Sequence, residues 1–254
     1  MPGHALLAAL PVAVLVAAHL LAGRLRGLAG RHERAVVSVA GGISVAYVFL
    51  HLLPEVAAGA RVVGESVEDL VAHVPMQEVL VFLVALAGFT TFYVAERFAA
   101  GRGSPRHGGA GTSSSAFAVH VGAFALYNVA VAYTLPERVA EDPRSAAVFT
   151  LAVAVHVLVV DRGMAEHHEE RYRRTGRFVL AGSLLLGWVA AGVAAPTSSL
   201  TVSLMTAVVA GSVLLTVFQE ELPRAGESRM WPFLAGVVAN TALLLALVLL
   251  EPTP

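Results

Sequence analysis

Two stretches of the chain share a register. The first is Gly42-Ile-Ser-Val-Ala-Tyr-Val-Phe-Leu-His-Leu-Leu-Pro-Glu55; the second is Gly211-Ser-Val-Leu-Leu-Thr-Val-Phe-Gln-Glu-Glu-Leu-Pro-Arg224. With Pro54 set on Pro223, Gly42 falls on Gly211, Phe49 on Phe218, Leu53 on Leu222 and His51 on Glu220. Each copy is an apolar run that closes in a polar cluster at its proline. Ordinary helix ends also collect proline and charge. The shared spacing of Gly, Phe and Leu-Pro is what marks a repeat.

Working outward, apolar runs between charged or Pro/Gly-rich breaks give eight segments. They cover 5–23, 35–57, 78–99, 115–136, 145–163, 177–195, 200–222 and 231–250. A spanning helix needs roughly 20 apolar residues. The first segment lacks a basic leader and a small-residue cleavage site, and Arg24 and Arg26 follow it directly. It therefore reads as a retained helix and not a signal peptide. The 254 residues are 57% hydrophobic and 14% charged, against about 25% charged in a soluble domain. The expectation is an all-α membrane protein with eight transmembrane helices, forming one transmembrane domain over 1–254. The Gly/Ser-rich stretch 101–115, which holds His107, reads as a flexible cytoplasmic linker.

A net charge of −1 leaves no basic footprint for nucleic acid. The absence of cysteine excludes disulfides and thiolate metal sites. All 17 basic residues are arginine, which removes lysine Schiff-base chemistry and points to a GC-rich bacterial genome. Fourteen of the 17 arginines lie in the connections after segments one, three, five and seven. Arg61, Arg138 and Arg144 lie in the others. The positive-inside rule then places both termini outside, in a bacterial inner (plasma) membrane. In that topology segment two runs outward and segment seven inward, so the repeat is inverted, as in many transporters.

Ionisable groups inside a bilayer are costly and are functional candidates by default. His51 and Glu55 are four residues apart and share a helix face. They read equally as a metal-binding pair and as a solvated helix end. Segment four holds His120, Tyr127, Asn128 and Tyr133. Asn128 offers a carbonyl oxygen to a metal, or a hydrogen bond to a neighbouring helix. Segment five holds His156 among Val, Ala and Leu, then Asp161 beside Arg162. Asp161 reads as a ligand or as half of a helix-end ion pair with Arg162. The run Glu166-His167-His168-Glu169-Glu170 reads as a solvated cytoplasmic face. Segment seven ends in Glu220 and Glu221, of which only one can line a cavity. His19 in segment one stays open, and Asn240 in segment eight reads as a packing hydrogen bond. A His, Asp, Glu and Asn set suits zinc, manganese or iron(II) better than a soft metal.

With these residues in place, the chain resembles the ZIP (Zrt/Irt-like) family of divalent metal transporters. Gly42–Glu55 is similar to that family's second helix and Ala210–Arg224 to its seventh. The resemblance implies a bundle in which helices 1–3 and 6–8 form an inverted repeat around helices 4 and 5. It also implies a homodimer and a metal site in mid-membrane. In the family, helix four carries His-Asn-x-Pro-Glu-Gly and helix five His-Glu-x-x-His-Glu. Here only Asn128 keeps a ligand of the first motif. His156 keeps the start of the second, Val157 replaces its first Glu, and Asp161 stands close to its last. Segment six has no acid.

The expected function is transport of a divalent cation (zinc, manganese or iron) by alternating access, with the cation as substrate and no tightly bound cofactor. His156, Asp161 and Asn128 would form the core site. His51 and Glu55 would lie at the outer mouth, with His120 and Glu220 or Glu221 at the inner mouth. A ZIP-like fold that senses metal or serves as a partner subunit without transport is the alternative. An intramembrane zinc hydrolase is less favoured, since no His-Glu-x-x-His motif is present, and the chain is read as no enzyme.

Overall fold

The computed structural model describes residues 6–29, 33–67, 77–102, 114–194, 198–221 and 229–249. The helices are α1 (Ala9–Ala29), α2 (Glu33–Tyr47), α3 (Leu53–Val67), α4 (Gln77–Arg102), α5 (Ser114–Glu141), α6 (Pro143–Arg171), α7 (Arg177–Val193), α8 (Ser199–Thr216) and α9 (Met230–Leu249). Among the described residues, three π-helical turns join or extend them: Val48–Leu52 between α2 and α3, Tyr172–Gly176 between α6 and α7, and Val217–Glu221 after α8. Segment two of the sequence is thus α2 through α3, and segments three to eight are α4 to α9.

Among the described residues, seven helical stretches are long and apolar enough to cross a membrane, and Ala9–Arg24 is a shorter apolar helix. Their outer faces carry exposed Leu86, Leu126, Leu151, Leu186, Val238 and Leu245. Such a surface is stable only against hydrocarbon. The protein is an all-α integral membrane protein. The linker expected over 101–115 is helical at 101–102 and from Ser114 onward; 103–113 lie outside the described residues.

The helices pair in swapped couples. α2 packs along α9, and α8 along α4. Likewise α1 packs on α6, and α7 on α5. If segments one to three match six to eight, and four matches five, each couple maps onto the other. The glycines make these contacts possible. A Cβ on Gly42 would collide with the Phe233 carbonyl, and one on Gly211 with the Ala85 carbonyl. The partner helices return the contact through Gly236 against Val39 and Gly88 against Val208. Without lipid-versus-water driving force between helices, close backbone approach supplies the dispersion energy that holds them. The two π turns, Val48–Leu52 and Val217–Glu221, also begin at matched positions of the repeat.

The entry of α6 is set locally. Asp142 caps the helix by accepting from the Arg144 and Ser145 amides at 2.9 and 3.1 Å, with Pro143 in the first turn. Its other end bends at His168, whose backbone is not helical (φ −139°, ψ 37°).

Candidate functional site

Asp161 on α6 and Asn128 on α5 meet through His19 of α1. His19 Nδ1 lies 2.8 and 3.0 Å from the two Asp161 oxygens, and its Nε2 lies 2.8 Å from Asn128 Nδ2. Asn128 Nδ2 also donates to the Leu180 carbonyl of α7 at 3.1 Å. A carbonyl only accepts, so that bond fixes the amide orientation. Nε2 therefore accepts from Asn128, and the imidazole proton sits on Nδ1, donated to Asp161. All three side chains are buried, at 1–2% exposure. Each fixes the next, so the group is preorganised.

This differs from the expected core site in one member. His156 lies five residues before Asp161, so its side chain points about 140° away around the helix. It is buried, with its ring 5.7 Å from that of Tyr127 and Nε2 3.4 Å from Thr216 Oγ1. Thr216 Oγ1 donates back to the Ser212 and Val213 carbonyls. Sequence alone does not place His19 in the group, because its partners are 109 and 142 residues away. Asp161 is not paired with Arg162; that guanidinium bonds Glu166 at 2.9 Å.

The groups expected at the two mouths are separated from this core. Glu55 pairs with Arg138 of α5, a residue read from sequence as a loop charge but 7% exposed. The Arg138 guanidinium lies 4.0 Å over the Phe149 ring and donates to Thr206 Oγ1 at 3.1 Å and Thr134 Oγ1 at 3.3 Å. His51 makes other contacts. Its Nε2 lies 3.2 Å from Ser145 Oγ, and its ring packs on Tyr47. His120 Nε2 lies 2.5 Å from Glu96 of α4, and its ring meets His168 edge-on at 6.2 Å. His168 is buried, against the expectation of a solvated face, because it also packs on Phe117. Glu170 does face solvent, paired with Arg173 and Arg174. Glu220 and Glu221 fall on the last π turn, and their side chains lie outside the described residues. Asn240 is buried, but its Nδ2 meets no acceptor among the described residues. Among those residues no three His, Asp or Glu side chains converge to hold a metal ion.

The two sides of the core differ in access. A cavity of about 680 Å³ reaches His19 and Asp161 between α1, α6 and α7, with Arg24, Glu169 and Arg173 at its exposed rim. On the side of His156, the rings of Tyr47, Phe149, Tyr127 and His156 line a void of only about 10 Å³, room for about one water. A comparison with protein-family models found no match, and neither did a comparison with curated proteins.

Proposed function

We propose that the protein is a ZIP-like carrier that moves a divalent transition-metal cation (zinc, manganese or iron) across a bacterial plasma membrane, with both termini outside. The observation that carries this reading is a buried His–Asp pair reached by a cavity of about 680 Å³ from one end, with only a small void among packed aromatic rings on the side of His156. Alternating access needs such an asymmetry around a fixed site. The swapped helix couples supply two halves that can rock against each other.

In this reading Asp161 gives the cation a carboxylate and His19 an imidazole nitrogen. Asn128 gives a carbonyl oxygen once its amide turns. Binding through Nδ1 shifts the imidazole proton from Nδ1 to Nε2, so that His19 stays neutral and turns its N–H toward Asn128. Two ionisable ligands and one amide hold a cation loosely, which suits release. The protein acts as a carrier and not an enzyme.

Flux tests this. Purified protein in liposomes with a metal-sensitive dye is offered Zn²⁺, Mn²⁺, Fe²⁺ and Cd²⁺. Saturable flux is expected, lost in Asp161→Asn and His19→Ala and reduced in His156→Ala. Wild-type flux in folded Asp161→Asn would overturn the site.

A second reading has its own support. Arg138, paired with Glu55, places a buried guanidinium at the end of α5 away from the His19–Asp161 cavity. A cation leaving that way must pass it. A ZIP-like protein that binds metal without passing it fits this feature. Folded protein that moves none of the four ions, yet binds one, would establish that reading.

A further inference from the structure

We propose that the cavity between α1, α6 and α7 binds the phosphate of an anionic phospholipid, held by Arg24 and Arg177. Four guanidiniums line the cavity: Arg24, Arg162, Arg173 and Arg177. Two carboxylates face them, Asp161 and Glu169. Asp161 is already engaged by His19. Arg162 bonds Glu166, and Arg173 bonds Glu170 at 2.7 Å. Arg24 and Arg177 have no ion-pair partner among the described residues. Arg177 Nε is moreover buried, with no acceptor among them. A guanidinium carries five donors in a fixed fork, and a buried donor left unmet costs free energy. A phosphate, with several acceptor oxygens in one small group, matches that fork.

The walls select a lipid over a free anion. Leu20, Leu21, Ala165 and Phe178 line the same cavity, and Leu21 and Phe178 are exposed on the outer surface. An amphiphile therefore finds a charged floor and an apolar exit for its chains. A zwitterionic headgroup would bring an ammonium against four guanidiniums, so the negative lipid is preferred. Basic pockets between spanning helices take anionic headgroups by the same physics. A phosphate there also offsets the positive charge that a cation would meet on its way to Asp161. The binding itself does not rest on metal transport.

The test uses the full-length protein in dodecylmaltoside, with thermal unfolding as readout. Dioctanoyl phosphatidylglycerol, dioctanoyl phosphatidylcholine and inorganic phosphate are titrated in parallel. Phosphatidylglycerol is expected to raise Tm saturably, while phosphatidylcholine and phosphate at equal concentration leave it almost unchanged. Arg24→Gln, in which only an exposed side chain changes, should weaken the apparent Kd about tenfold, the loss of one charge-assisted bond. Arg24→Gln/Arg177→Gln should abolish the shift, and Arg144→Gln at the other end should keep it. An equal shift from phosphatidylcholine overturns the charge selectivity. An equal shift from inorganic phosphate overturns the lipid. Unchanged phosphatidylglycerol affinity in Arg24→Gln overturns the site.

Discussion

Asp161 holds both its oxygens on one imidazole nitrogen, so the effect of replacing it depends on what His19 keeps. Asparagine still offers a carbonyl to Nδ1–H and nearly the same volume. Alanine leaves the buried N–H without an acceptor, at a cost of about 1–3 kcal/mol. Thermal unfolding in detergent should place Asp161→Asn close to wild type and Asp161→Ala clearly below it; equal Tm values would deny the hydrogen bond. Arg138 differs, because Glu55 is 30% exposed. Removing one partner of a fully buried pair costs roughly 3–5 kcal/mol, and solvent at Glu55 lowers that to about 1–2. A cycle of Arg138→Met, Glu55→Gln and the double variant should give a coupling of about 1 kcal/mol. Additive losses would mean that Arg138 matters only through its packing on Phe149. At this scale the sequence was legible in part. Asp161 and Asn128 stood out as polar groups in apolar helices. His19 did not, since a lone histidine carries no local sign of its partner. Arg138 misled, because Pro136-Glu137-Arg138 reads as a helix end, yet α5 runs on to Glu141 and folds the guanidinium inward.

Between elements, the glycines of the repeat carry the packing. Gly211 has no room for a Cβ against the Ala85 carbonyl, whereas Gly182 has nothing within 4 Å. Gly211→Ala should therefore force α8 off α4 and cost about 1–3 kcal/mol, as overpacking does. Gly182→Ala should be neutral or stabilising by up to about 1 kcal/mol through helix propensity. Paired melts of the two variants check this, and equal destabilisation would sink the close-contact account. The repeat itself was readable, because Gly42 and Gly211 keep register with the Leu-Pro that follows. The π turns were not. An extra residue in a turn leaves no compositional trace, and only the folded backbone shows Val48 and Val217 starting the same distortion. π turns of this kind collect at functional positions. Here one sits at His51 and the other at Glu220 and Glu221.

At the level of the whole molecule, the open and closed ends gain meaning only with an orientation. The hydropathy pattern marks the apolar helices, and the arginine distribution is the sequence feature that bears on which way they run. Fourteen arginines sit in one set of connections and three in the other. The His19–Asp161 cavity opens among the arginine-rich set, at Arg24 and Arg173, so it faces the cytoplasm if the positive-inside rule holds. The chain has no cysteine, so single cysteines report accessibility without background. Arg144→Cys and Glu169→Cys are both exposed positions at opposite ends of α6. A membrane-impermeant maleimide on intact cells should label Arg144→Cys, and label Glu169→Cys only after lysis. The reverse pattern would turn the molecule over. The cavity would then face outward, and in the proposed carrier Asp161 would receive its cation from outside. For the proposed carrier the side of loading thus follows from one labelling pattern, because the cavity reaches His19 and Asp161 from one end only of α6 and the bilayer supplies the remaining choice.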